Sequence, residues 1–257
     1  MDKVVMWIIL PCAARCRRAV YAGVGEPTER LGQAYADKVR EDEDEGDGTR
    51  REGHAMDVTF GGATGDLAHA YVREILRPAI LHHSVRVWLL ADHLGRQQDL
   101  KGSEREALAV ACLFHDSGTA APHDGPQRFE VEGADAARTF LSEHGWPDDL
   151  GQQVWEAVAL HTSPGIAERM GTLPRLVRLA VLSDFGRTDL LGTEGRAELT
   201  EALERFPRLD IETALADAVV AQALRNPEKA PPSSWPGGLL AAHLADSGRT
   251  GGGNPAF

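Results

Sequence analysis

The sequence predicts an all-α protein with a single folded domain, and three observations carry that expectation. Between residues 56 and 245 nearly every segment repeats its apolar residues at helical spacing, and few alternate strictly. Gly118, Gly145, Gly165 and Gly186 fall where those segments should end. No internal repeat is evident, and 257 residues at 42% hydrophobic content can bury one substantial core.

The helices follow in order. The first is expected over residues 66–76. The second, over 79–94, carries His83 on one face with Ile80, Val87 and Leu90, the core-facing stripe, while His82 points about a hundred degrees away. The third, over 103–115, opens on a capping box of Ser103 and Glu106 and sets Leu108, Ala111 and His115 on one face, with Asp116 adjacent. The fourth covers 133–143. The fifth, over 150–160, aligns Val154 and Val158 with His161 just beyond it. The sixth, over 174–184, aligns Val177 and Val181 with Asp184. Two more are expected over 194–205 and 210–224. Pro231-Pro232 and Pro236-Gly237-Gly238 then break the chain around a short last segment, 239–244.

The ends differ from this body. Residues 1–55 contain the run Glu41-Asp42-Glu43-Asp44-Glu45-Gly46-Asp47, which repels itself and stays solvated, so they read as a loosely ordered acidic extension or as sequence ahead of the true start. Residues 56–245 form the folded domain, and 246–257 a glycine-rich tail. The apolar run near Met1 faintly echoes a secretory signal, but Pro11 breaks it, Arg15, Arg17 and Arg18 follow, and it is too short to span a bilayer. Three cysteines form no framework: Cys12 and Cys16 have no second pair, and Cys112 sits in an apolar run as a small buried hydrophobe. A reducing cytoplasm is the expected location. A net charge of −12, with only four lysines and scattered arginines, argues against nucleic acid or another polyanion as partner. No membrane association is expected. The partner is a small-molecule substrate, and Trp and Leu residues expected to be exposed near the C-terminus offer a surface for a homo-oligomer.

The chemistry begins at His115-Asp116, which closes the run Leu113-Phe114. Both side chains are costly to bury unless something binds them, and a divalent ion takes neutral imidazole and carboxylate as standard ligands. A lone core histidine is more often a hydrogen-bonded core residue, and a lone aspartate after an apolar stripe more often a cap. Four helices each ending or facing inward on a ligand-type residue (His83, His115-Asp116, His161, Asp184) point instead to one shared metal site.

The pattern His83, His115-Asp116, Asp184 resembles the HD superfamily of metal-dependent enzymes, helical bundles that bind a divalent ion with two His and two Asp. The segments Arg128-Phe129-Glu130-Val131-Glu132-Gly133-Ala134 and Ala159-Leu160-His161-Thr162-Ser163 are similar to its cyanamide hydratase-like branch, and the resemblance runs from roughly residue 67 to residue 225. It implies the metal ligands His83, His115, Asp116 and Asp184, and favours zinc, with Fe²⁺ or Mn²⁺ equally suited to the donor set. The family commonly has Ile before the glycine where this chain has Ser117, and an aromatic where it has Trp88; both bear on pocket shape.

The expected activity is hydration or hydrolysis, adding metal-activated water to a small nitrile-type substrate, cyanamide to urea or similar. His161 is either the proton-transfer group or a further ligand. Glu130 is a catalytic carboxylate near the pocket or a helix-start carboxylate favoured by the helix dipole. Arg86, one turn after His83, pairs with and orients a site carboxylate. Thr119 and Thr162 are hydroxyl donors. His54, His69, His93, His123, His144 and His243 read as surface or loop residues. Two alternatives stand beside this: a phosphohydrolase or phosphodiesterase acting on a small phosphorylated metabolite, which would need cationic clamps beyond Arg86, Arg128 and Lys101, and a non-catalytic ligand-binding helical domain.

Overall fold

A computed structural model describes residues 58–246. The chain divides into two units, Met1–Met56 and Asp57–Phe257, and everything below belongs to the second. The expected extension, Cys12, Cys16, His54 and all but the first residue of the tail lie outside the described residues.

Among the described residues the architecture is helical throughout, with no strand: α1 (Ala63–Ile75), α2 (Pro78–Arg96), α3 (Gly102–Phe114), α4 (Phe129–Glu143), α5 (Asp148–Leu160), α6 (Thr172–Asp184), α7 (Gly192–Arg205), α8 (Ile211–Arg225) and α9 (Trp235–Ala245). Pro78 starts α2, where its fixed φ suits the first turn and its missing N–H is no loss. From Ala107 to Phe114, α3 is buried on every side, so its apolar run needs no polar face. It lies against α1, α2 and α5; α2 also packs on α6, and α4 lies along α5. Ile80, Leu90, Leu108, Val158 and Val177 meet in the shared core, each buried to within 1%. Each such side chain contributes about 1.5–3 kcal/mol. Among the described residues no helix is long and apolar enough to cross a membrane.

Several expectations are corrected. The Ser103–Glu106 capping box does not form: α3 starts at Gly102, after Lys101, with no side-chain cap, and Glu106 instead accepts the backbone N–H of Thr64 at the start of α1. A carboxylate there satisfies a donor that α1 leaves open. Helix α4 begins at Phe129, four residues before the expected start, and α9 begins at Trp235, where Ser234 accepts the Gly237 N–H. Trp235 is turned inward against Phe129, at 5.7 Å between ring centres, and offers no oligomer surface; Leu244 alone of that segment's tryptophan and leucines is strongly exposed. His93 is buried rather than superficial, with its Nδ1 3.0 Å from Glu198 on α7. Trp88 lies in the core, donating to Thr59 O at 3.0 Å.

A charged clamp ties the loop before α4 to the turn after α8. Lys229, 3% exposed, donates to Asp124 at 2.6 Å and to Gly125 O at 2.8 Å, and Arg225 donates to the other Asp124 oxygen. Burial opposes the Asp124 charge, but Lys229 and Arg225 outweigh it and hold the carboxyl below its ordinary 3.8. Asp124→Asn is expected to lose about 1–3 kcal/mol near neutral pH, because Lys229 keeps its charge and loses its partner. A carboxyl depressed on folding stabilises above its unfolded pKa and stops doing so as pH falls through the folded one. The deficit against wild type, measured by urea unfolding, should therefore narrow from about pH 7 to about pH 3. A deficit that stays constant over that range would refute the clamp.

Candidate metal centre

The C-terminal ends of α3 and α5 are built alike. Each helix closes on a histidine that turns its Nδ1–H back to the carbonyl three residues earlier: His115 to Cys112 O at 2.7 Å and His161 to Val158 O at 2.6 Å. On α2, His83 Nδ1–H donates to Asp184 Oδ2 at 2.7 Å. Since a carbonyl or carboxylate only accepts, all three rings carry a proton on Nδ1, and each ring, when neutral, has its lone pair on Nε2.

Those lone pairs converge on Asp116. His115 Nε2 is 3.1 Å and His83 Nε2 3.7 Å from Asp116 Oδ2, while His161 Nε2 is 3.4 Å from Oδ1. His83 Nε2, His115 Nε2 and both Asp116 oxygens are buried without a hydrogen-bond partner. Orphaned acceptors in contact repel unless a cation lies among them. Among the described residues one group of metal-type side chains brings its donor atoms within 4.8 Å of one another, and it is His83, His115 and Asp116. Two imidazoles and a carboxylate, each ring anchored through its far nitrogen, are a donor set that fits a divalent ion. Burial lowers the His83 pKa; burial also opposes a charged His115, but the Asp116 carboxylate overrides it and raises that pKa. Burial works against the Asp116 charge, and His115 and His161 nevertheless hold its pKa well below the ordinary range.

The remaining expected residues stand around this group. Asp184 lies behind His83: Arg86 grips it with Nε on Oδ1 at 2.7 Å and NH2 on Oδ2 at 2.8 Å, and its Oδ2 also takes the His83 proton. Burial opposes the charge of Asp184, but Arg86 and His83 keep its pKa far below normal. Its carboxylate is thus not in the group of three, and it reaches the centre by fixing the His83 ring. The third Arg86 nitrogen donates to Phe206 O at 2.8 Å, so none of its three nitrogens is left over for a substrate.

Glu130, fully buried at the start of α4, accepts Arg128 Nε at 3.1 Å and NH2 at 2.7 Å, and Thr162 Oγ1 at 2.8 Å. It meets the centre through Thr162. That arrangement depends on a close approach between the turn after Asp116 and α4. A Cβ on Gly118 would lie 1.9 Å from Phe129 O, and one on Gly133 would lie 3.0 Å from Phe114 O. Ser117 is buried beside Gly133 and lines no part of the site. The two threonines expected as donors are already committed: Thr119 Oγ1 donates to Asp116 O at 2.7 Å, and Thr162 to Glu130.

His83, His115, Asp116, His161 and Thr162 line a tightly packed gap, too small for a water molecule, together with Val181, Phe185, Leu215 and Trp235. Thr162 and Trp235 also border a wider cleft of about 500 Å³ that includes Arg128, Ser163, Ile166 and Ser234. Phe185, Leu215 and Trp235 were missed because apolar wall residues follow no motif. Phe185 could have been found, since it follows Asp184 directly and packs 4.9 Å from the His83 ring.

The model of a family described as the HD domain matches residues 80–221, more than half of the chain and the whole stretch from α2 to near the end of α8. No curated protein matches the chain.

Proposed function

The chain belongs to the HD-domain family, and from that premise we propose a metal-dependent enzyme that adds water to a small nitrile-type substrate, converting cyanamide to urea or a close analogue. The observation that carries this reading is the convergence of unpartnered donor atoms from His83, His115 and Asp116, with His161 beside them, against the apolar side chains of Val181, Phe185, Leu215 and Trp235. Arg86 and Arg128 beside the centre are already engaged, Arg86 by Asp184 and Arg128 by Glu130. Phosphate transfer calls for cationic clamps that are open to the ligand.

His83, His115 and Asp116 would hold the ion, zinc by preference and Fe²⁺ or Mn²⁺ as alternatives. When bound, the ion supplies Lewis acidity toward water and toward the nitrile nitrogen. His161 is assigned the proton work, because its Nε2 lies on the Oδ1 side of Asp116, outside the group of three. Its Nδ1–H bond to Val158 O keeps that lone pair aimed inward. It accepts a proton as the water oxygen bonds to the nitrile carbon, and delivers it to the nitrile nitrogen. The imidic acid so formed moves its hydroxyl proton to the same nitrogen and becomes the amide. Asp184 and Arg86 hold His83 in register throughout. The partner is a small molecule met in the cytoplasm, without nucleic acid or membrane, and an assembly of like chains is compatible with it.

The competing reading is a phosphohydrolase acting on a small phosphorylated metabolite. It draws on the wider cleft, where Arg128 is 27% exposed despite its bond to Glu130. Metal-quantified protein offered cyanamide and simple nitriles alongside nucleotide phosphates and generic phosphodiesters separates the two. The expected result is amide formation; phosphate release with no nitrile turnover overturns the proposal.

A further inference from the structure

Thr162 is the one hydroxyl among the residues that line the centre, and its proton is spoken for. Oγ1 donates to Glu130 Oε1 at 2.8 Å. Glu130 cannot return the favour: with Arg128 Nε on Oε2 and NH2 on Oε1, it accepts three hydrogen bonds, the role of a carboxylate. Glu130 is 0% exposed, so no water competes for the Thr162 proton. A hydroxyl has one proton and two lone pairs. Once the proton is fixed outward, only acceptor capacity remains for whatever binds against it.

The other polar walls leave little choice. His83, His115 and Asp116 would hold the ion, and His161 is the group proposed to take a proton. We infer that Thr162 is a specificity-determining acceptor, taking a hydrogen bond from the N–H that the substrate proposed above carries beside its electrophilic carbon. The inference rests on the hydration reading for its electrophile, and on the Glu130–Thr162 bond for its donor. An anionic oxygen placed against Thr162 would meet lone pairs backed by a buried carboxylate, which disfavours phosphate at this position. Arg128 and Glu130 act at one remove: they set the direction of the Thr162 hydroxyl without touching the ligand.

Cyanamide and N,N-dimethylcyanamide differ in this N–H donor. Calorimetric titration of the zinc-loaded full chain with each, and turnover of each to the corresponding urea, form the test. Wild type should bind cyanamide about tenfold tighter than dimethylcyanamide. Thr162→Val keeps the shape and removes the acceptor; it should weaken cyanamide about five- to tenfold, the worth of one hydrogen bond, and leave dimethylcyanamide unchanged. Thr162→Ser should retain the wild-type preference. Wild-type affinity for cyanamide in Thr162→Val, equal weakening of both ligands, or no cyanamide binding by wild type overturns the inference. The two readings fail separately. A Thr162-dependent preference without urea formation keeps the acceptor and discards hydration; urea formation with an unchanged preference in Thr162→Val does the reverse.

Discussion

Asp116→Ala is expected to abolish metal binding while the fold stays intact. Asp116 is the residue on which the three Nε2 lone pairs converge, at 3.1, 3.4 and 3.7 Å. Losing a residue that merely supports a ligand typically lowers metal affinity 10- to 100-fold, so losing the carboxylate itself should lower it by more than about 100-fold. Turnover should fall with it to background. The fold has less at stake. Both Asp116 oxygens are buried without a hydrogen-bond partner, and in metal-free protein that desolvation works against the attraction of His115 and His161 for the carboxylate. Chelated wild type and chelated Asp116→Ala should therefore unfold within about 1 kcal/mol of each other. Adding zinc should raise the melting temperature of wild type alone, because an ion that binds only the folded state stabilises it by mass action. Metal content after dialysis and thermal unfolding with and without zinc measure both halves. Stoichiometric metal and full activity in the variant would sink the centre.

Much of this centre was legible in the sequence because its histidines sit on core-facing stripes. His83 follows Ile80 and precedes Val87; His115 and His161 each close a helix whose apolar residues recur at helical spacing. The helices were legible for the same reason. What the sequence concealed were relations between elements. Glu106 matched a local capping box, yet its carboxylate serves Thr64 on another helix. His93 looked superficial because it belongs to no pattern of ligand-type residues, but α7 packs on α2 and supplies Glu198. Helix α9 was foreshortened because Pro236-Gly237-Gly238 reads as a breaker; with Ser234 capping and proline in the first turn, the same residues begin a helix. Asp184 shows the limit for site residues. Its position at the end of an apolar stripe marked it as part of the centre, but which partner its carboxylate would take depended on Arg86, on a different helix, being wholly buried beside it.

Arg86→Ala is expected to cost about 3–5 kcal/mol, because it removes one partner of a buried ion pair and strands the other. The guanidinium is 0% exposed and satisfies both Asp184 oxygens and the Phe206 carbonyl. Domains of this kind are stable by only about 5–15 kcal/mol, so the variant should sit near the edge of folding. That alone would not reveal what the pair does for the centre, since an unfolded protein binds nothing. The double variant Arg86→Met/Asp184→Leu separates the two contributions. Replacing a buried ion pair by apolar side chains of similar size is often neutral or stabilising, so most of the lost stability should return. Metal affinity should not. Without Asp184, His83 Nδ1 loses the acceptor that holds its proton at 2.7 Å, and the ring is free to turn or to place its proton on Nε2. Denaturant unfolding of the chelated proteins should rank the double variant close to wild type and well above Arg86→Ala. Zinc competition titrations should place it about 10- to 100-fold weaker than wild type. Restored stability with wild-type zinc affinity would show that Asp184 serves the fold alone, and that His83 needs no help to face the ion.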